Sequence, residues 1–340
     1  MKKSEKIFSL HLNSNQPKKF EQFADSFFKN ISNTDSLEII VHIDKDDNLM
    51  KLMIGKLNHK YKNAIKYIET SLIKDFNDAW KPINLLLNNT SDSVKIISCL
   101  SDDIRINTKH WDLYLLKHLS KYQEDEIFRI RCSQYKYETY ENLWECCYKP
   151  DFSFYSKKWV DTVGCWNPCI GPDTYQETVS YYLNQYGKDY NRSAIDKNIE
   201  FEGEETLTDL NLQARITRTK LGYKSFSELV SYKIQKKSFV AAYNLAKVIG
   251  KKEITLIKVN YLTHTLINFF KKLRFFHYRG SKSRLTSNIL FNIIFLFWCR
   301  IDLLDKYIIY AIQYLERKNI LKKIITNKKQ YRKIKKAIKK

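Results

Sequence analysis

The sequence contains no apolar run long enough to span a membrane, no cysteine pattern typical of a zinc site and no internal repeat. Its strongest apolar run, Ile289–Trp298, is about ten residues long and is interrupted by Asn292, whereas a spanning helix needs about twenty. Among the cysteines, Cys165 and Cys169 are closely spaced, but one such pair is a weak metal signal. These absences argue against a bilayer span and a zinc domain, and they favour a core or interfacial helix over 289–298.

A secretory signal is also not expected from the first residues. Met1, Lys2 and Lys3 form a basic start, but Ser4–Lys6 follows where a signal peptide needs an apolar segment. The sequence has seven cysteines, an odd number, which suits free thiols better than a complete disulfide framework. The expected location is therefore the cytoplasm, with the thiols reduced.

Positive charge is concentrated in the last quarter of the chain. The formal net charge is +22, yet residues 1–250 hold 36 Lys and Arg against 33 Asp and Glu. Residues 251–340 hold 23 basic and 4 acidic residues. A basic tail on a nearly neutral body is typical of docking to a polyanion, either anionic lipid or nucleic acid.

Apolar runs and amphipathic segments alternate along the first half. Strands are predicted at residues 7–12, 37–43, 64–68 and 96–100, and helices at 18–31, 75–89 and 111–122. A further strand is predicted at 128–132, a helix after Asp173 that ends near Gly187, and an acidic loop at 196–210. This alternation predicts an α/β fold, with a mostly parallel sheet sandwiched by helices.

Polar side chains follow three of the predicted strands. Asn13 and Asn15 follow the first strand, Asp44 ends the second, and Asp102 and Asp103 follow the fourth. In open parallel sheets, ligands bind at the carboxyl ends of the strands. Carboxylates there suit Mg²⁺ or Mn²⁺ shared with substrate phosphates. Each aspartate also has a simpler interpretation as a turn residue, because Asp is common in turns.

The order of these motifs resembles the GT-A nucleotide-sugar glycosyltransferases of the family 2 type. The resemblance covers about residues 5–190 and depends on the order and spacing of loose motifs. The stretches that carry it are Ser9–Pro17, Ile40–Asp44, Leu100–Asp103, Phe154–Gly164 and Gly171–Asp173. The family's usual Thr-Tyr-Asn, Asp-Asp-Gly-Ser and Glu-Asp strings are absent, so a transferase-like protein that binds donor without turnover stays an alternative.

The resemblance implies a GT-A-like (Rossmann-like) fold and a metal-assisted transfer, with inversion, of a hexosyl-type sugar to a glycan or lipid-linked acceptor. It implies that Asp103 holds Mn²⁺ or Mg²⁺ and that Asp173 is the catalytic base; Asp173 could instead only cap the helix that follows it. Nucleotide contacts are implied for Asn13, Asn15, Asp44, Lys81, Asn84 and Asp102. Polysaccharide biosynthesis is the expected context.

The C-terminal segment, Lys318–Lys340, interleaves lysines with isoleucine and leucine, which is typical of a basic amphipathic helix at a membrane surface. We therefore expect a catalytic domain over 1–225 and an α-helical, basic C-terminal extension over 226–340. The extension would place the protein peripherally on the cytoplasmic face of a membrane. The alternative function is a non-catalytic nucleic-acid-binding protein that uses the same basic helices, with nucleic acid the less favoured polyanion.

Overall fold

The computed structural model describes residues 5–72, 78, 80–140, 146, 152–169, 174–203, 225, 228–229 and 231–250. Three features named above lie outside these residues: the predicted base Asp173, the apolar run Ile289–Trp298 and the basic segment Lys318–Lys340. Among the described helices, none is both long enough and apolar enough to cross a membrane.

The chain divides into two compact units, one formed by Met1–Glu204 with Tyr232–Lys258 and the other by Glu205–Ser231 with Val259–Lys340. Almost every described residue belongs to the first unit. The domain boundary expected between 225 and 226 stays a prediction.

The first unit is built on a seven-stranded sheet. The strands of the described residues are β1 (Phe8–Asn13), β2 (Leu37–Asp44), β3 (Ile65–Thr70), β4 (Ile96–Cys99), β5 (Ile104–Ile106), β6 (Arg129–Arg131), β7 (Ser153–Ser156), β8 (Ser193–Ile195) and β9 (Phe201–Gly203). The order in the main sheet is β3-β2-β1-β4-β7-β6-β8. Strands β3, β2, β1 and β4 are parallel to one another, and β7 is antiparallel to both of its neighbours. Strands β5 and β9 form a separate antiparallel pair.

Helices connect and cover these strands. They are α1 (Pro17–Asn30), α2 (Asn48–Lys60), α3 (Ile83–Leu87), α4 (Trp111–Lys121), α5 (Lys157–Val163), α6 (Tyr175–Leu183) and α7 (Tyr232–Gly250) within the described residues. The result is a Rossmann-like α/β fold with a mostly parallel sheet, which confirms the predicted fold class.

The core lies between the sheet and the helices that follow β1 and precede β6. Helix α1 begins with Pro17, whose missing N–H costs nothing in a first turn. One face of α1 buries four phenylalanines, and Phe27 meets Trp111 of α4 edge to face at a ring separation of 5.6 Å. Burial of each such side chain contributes about 1.5–3 kcal/mol, so the aromatic spacing that predicted α1 also fixes it on the sheet.

Most differences from the sequence prediction lie after residue 70. In the described part of the helix predicted over 75–89, the α-helix is the short α3, which follows Pro82. The acidic loop predicted over 196–210 is wrong in part, because β9 pairs with β5 there. Helix α6 ends at Leu183, and one turn of 3₁₀-helix separates it from Gly187, which has a φ of 124°.

Candidate active site

The predicted polar edge exists in the structure. Strand β1 lies between β2 and β4, and all three run in the same direction, so their carboxyl ends meet at one edge. The chain winds from β1 to β3 on one side of β1 and then returns to its other side as β4. The boundary between β1 and β4 is therefore the point where the strand order reverses, which is where ligands bind in open α/β sheets.

A short hydrogen bond joins the two loops at this reversal. Ser14 Oγ donates to Asp102 Oδ2 at 2.6 Å, across 88 positions of sequence. The Ser14 N–H donates to the carbonyl oxygen of His42 at 3.1 Å, which fixes the loop against β2. On the other side, the Arg105 guanidinium donates to the backbone oxygen of Asp102 at 2.6 Å. Asp102 is thus held at both its side chain and its main chain.

The environment of Asp102 disfavours its ionised form. Burial raises the pKa of its carboxyl above the ordinary value, and the neighbouring Asp103 carboxylate raises it further. The hydrogen bond from Ser14 and the positive charges of Lys19 and Arg105 act in the opposite direction. Two adjacent carboxylates in a partly buried loop repel each other, and a bound cation relieves this repulsion.

Asp44 lies at the end of β2 with one carboxylate oxygen, Oδ1, buried and without a hydrogen-bond donor among the described residues. Buried polar atoms are usually paired, so Asp44 has an acceptor oxygen at this edge that the described residues leave unused. Of the two aspartates that follow it, Asp47 uses its side chain in the fold and Asp46 its backbone. Asp47 accepts from the Met50 N–H at 3.0 Å as the N-cap of α2, and the Asp46 N–H donates to Glu69.

The remaining predicted nucleotide contacts fall into two groups. Asn13 ends β1 half-buried and Asn15 is exposed in the following loop, so both lie at the same edge as Asp44. Lys81 is exposed and forms an ion pair with Asp78 at 2.5 Å. The Asn84 carboxamide forms hydrogen bonds with the backbone of residues 166 and 167. The structure therefore gives Lys81 and Asn84 protein partners of their own, and their nucleotide contacts stay predictions.

Two histidines near this edge are buried and neutral. Burial lowers the pKa of His42, whose Nε2 lies 2.9 Å from Thr70 Oγ1. Burial also lowers the pKa of His11 to about 3. Both side chains therefore belong to the interior of the sheet.

A divalent cation fits the residues present if substrate phosphates complete its coordination. The described residues contain no group of three or more His, Cys, Asp or Glu side chains placed to hold an ion. Magnesium in nucleotide sites commonly takes one or two carboxylates, with phosphates and water as the other ligands. Asp102 and Asp103 at the β1/β4 reversal provide such a pair.

Sequence reasoning missed Ser14, the residue that joins the two loops. It lies between two asparagines that the prediction did include, and serine in a polar loop after a strand has no distinctive signal. Only the register of β1 against β2 and β4 shows that its hydroxyl meets Asp102.

No protein-family model matches the sequence, and no curated protein matches it. Solved structures do resemble it. The mannosyltransferase PcManGT from Pyrobaculum calidifontis, in complex with GDP-Man and Mn²⁺, is 11% identical with a TM-score of 0.47, over 87% of this chain and 84% of that one. S. aureus TarS 1-349 in complex with UDP-GlcNAc is 11% identical with a TM-score of 0.45, over 85% and 88%. A longer S. aureus TarS structure is 13% identical with a TM-score of 0.44 over 66% of this chain, which spans 44% of it.

Proposed function

We propose that this protein is a nucleotide-sugar glycosyltransferase that uses Mn²⁺ or Mg²⁺. The observation that supports this most directly is the hydrogen bond from Ser14 to Asp102 at the reversal of strand order, beside Asp103 and the unpaired oxygen of Asp44. This arrangement offers carboxylates for a cation and an acceptor atom for a nucleotide at one edge of the sheet.

The proposed roles follow from the chemistry of each group. Asp103, with Asp102, would hold the cation, which supplies positive charge to the diphosphate leaving group. Asp44 accepts a hydrogen bond from the ribose or base of the donor. Asp173, through the resemblance noted above, takes the proton from the acceptor hydroxyl in an inverting displacement. The acceptor is proposed to be a glycan or a lipid-linked sugar of a polysaccharide pathway.

The first test is calorimetric titration of the full chain with a panel of nucleoside diphosphates, each with and without Mn²⁺. We expect one base to bind with Mn²⁺ and to bind at least about tenfold more weakly without it, because the diphosphate and the carboxylates share the cation. The sugar nucleotide of that base should then release nucleoside diphosphate on incubation. If no nucleotide binds, the proposed function is wrong and Asp102 and Asp103 are best interpreted as turn residues.

Peripheral membrane association is proposed for the basic C-terminal segment, Lys318–Lys340, because each Lys or Arg near an anionic surface contributes about 1 kcal/mol. The full chain is expected to sediment with phosphatidylserine vesicles, and a chain shortened by residues 318–340 is expected to stay in the supernatant. Neutral phosphatidylcholine vesicles and 0.5 M salt serve as controls. Equal sedimentation of both chains would contradict this role for the segment.

A further inference from the structure

A three-sided clamp holds the segment Cys165–Asn167, which precedes the stretch that contains Asp173 in sequence. The clamp consists of Asn84 of α3, His11 of β1 and Gln176 of α6. Trp166 and Asn167 are almost completely buried.

Asn84 provides the first side of the clamp. Its Oδ1 accepts from the backbone N–H of Trp166 at 2.8 Å and from that of Asn167 at 3.2 Å. Its Nδ2 donates to the carbonyl oxygen of Asn167 at 2.7 Å. A carboxamide can make four hydrogen bonds, two as acceptor and two as donor. Three are therefore used on this segment, and a nucleotide could reach only the remaining N–H.

His11 provides the second side. The indole N–H of Trp166 donates to His11 Nδ1 at 2.8 Å, and the two rings meet edge to face. Because Nδ1 accepts, the proton of the neutral imidazole lies on Nε2, which is within 3.0 Å of Ser9 Oγ and 3.1 Å of Thr90 Oγ1. The low pKa of His11 agrees with a permanently neutral ring.

Gln176 provides the third side from the opposite half of the unit. Its Nε2 donates to the carbonyl oxygens of Cys165 and Trp166 at 2.8 and 2.9 Å, and its Oε1 accepts from Trp159 Nε1 at 3.0 Å. The segment therefore links β1 and α3 to α5 and α6.

The clamp also reaches the candidate active site through β1. His11 lies two residues before Asn13, about 7 Å along the strand, and it pairs with Cys99 of β4, which precedes the Asp102 loop. A shift of the clamped segment would thus be transmitted to the same two strands whose ends form the candidate active site.

We propose that Asn84 is a positioning residue that holds the clamped segment and, through His11, the ends of β1 and β4 at the candidate active site. This inference rests on the proposed transferase function and replaces nucleotide contact as the role of Asn84. The transfer step depends on geometry, and a displacement of about 1 Å can cost about 100-fold in rate. Nucleotide affinity depends on Asp44, Asp102 and Asp103, which Asn84 does not contact.

The test compares Asn84→Ala and Asn84→Asp with the wild type in three measurements. These are calorimetric Kd for the nucleoside diphosphate that binds the wild type, turnover of its sugar nucleotide at saturation, and hydrogen exchange of the Trp166 and Asn167 amides. For Asn84→Ala we expect a turnover lower by about 100-fold, a much smaller loss of nucleotide affinity, and faster exchange at both amides. Asn84→Asp keeps both acceptor contacts but replaces the donor to the Asn167 carbonyl oxygen by a carboxylate oxygen that repels it, so it is expected to lose turnover as well.

Two results would overturn the proposal. A weaker Kd with unchanged saturated turnover would make Asn84 a nucleotide contact, and unchanged exchange with unchanged turnover would show that Asn84 does not hold the segment. Failure of the underlying function is separate, because the wild type itself would then neither bind a nucleotide nor release one. In that case faster exchange in Asn84→Ala would leave the clamp as a structural element only and would remove its catalytic role.

Discussion

Asp103→Ala is expected to weaken Mn²⁺-dependent nucleotide binding by at least about 100-fold, since loss of even an outer-shell partner of a metal ligand costs about 10–100-fold. Asp103 stands beside Asp102 at the reversal of strand order, and no described residue donates a hydrogen bond to its side chain. Its loss therefore removes the carboxylate proposed to hold the cation without breaking a side-chain hydrogen bond of the described residues. Calorimetric titration in the presence and absence of Mn²⁺ measures the effect, and the affinity without metal should change little.

The matched control is Asp161→Ala on α5, which removes a surface carboxylate whose side chain is 52% exposed. It should leave both nucleotide affinity and the thermal midpoint close to wild type, because exposed ion pairs contribute about 0–1 kcal/mol. Asp103→Ala should share that unchanged midpoint, or exceed it, since one of two repelling carboxylates is gone. A parallel loss of binding in both variants, or a loss that does not depend on Mn²⁺, would contradict the metal role.

The candidate site was largely predictable because parallel strands align the residues that follow them. Once β1, β2 and β4 were assigned from apolar runs, Asn13, Asp44 and Asp102 had to lie at one edge. Which of these groups contact each other was not predictable. The Ser14–Asp102 hydrogen bond depends on strand register. The hydrogen-bond partners of Asn84 lie in a segment more than 80 residues away in sequence.

The antiparallel half of the sheet was mostly not predictable from the sequence. Strands β6 and β8 of this sheet, and β9 of the separate pair, have three residues each and pair over long sequence separations, so local periodicity carries little signal. Strand β6 was expected, but its charged residues gave no indication that both Arg129 and Arg131 are completely buried. Arginine is rarely buried unless it is paired, and the partner comes from a helix some fifty residues later.

That partner is Glu177 of α6, at the centre of a buried charged cluster. Its Oε2 lies 2.5 Å from Arg129 Nη1 and 3.3 Å from Arg131 Nη2. Its Oε1 accepts from the backbone N–H of Tyr140 at 3.0 Å. Arg129 Nε also donates to Ser193 Oγ of β8 at 3.1 Å. The cluster thus joins β6, β8 and α6, and all three charged side chains are fully buried.

The second large effect is expected from Glu177→Ala, which should lower the free energy of unfolding by about 3–5 kcal/mol, the usual cost of removing one partner of a buried ion pair. Two guanidinium groups would remain buried without their carboxylate, although Arg131 keeps its contact with the Tyr135 ring, 3.9 Å from the ring centroid. Urea unfolding followed by circular dichroism measures the change.

Glu177→Gln removes the charge at nearly the same volume, although glutamine has one accepting oxygen where Glu177 uses two. If charge dominates, the glutamine variant should lose most of the stability that the alanine variant loses. If packing dominates, it should stay near the wild type. If both variants lose less than about 1 kcal/mol in the free energy of unfolding, the cluster contributes no more than an exposed ion pair. Such a result would mean that water reaches the two arginines. The expected loss instead makes Glu177 a structural carboxylate, and the proposed role of catalytic base stays with Asp173, four residues earlier in sequence.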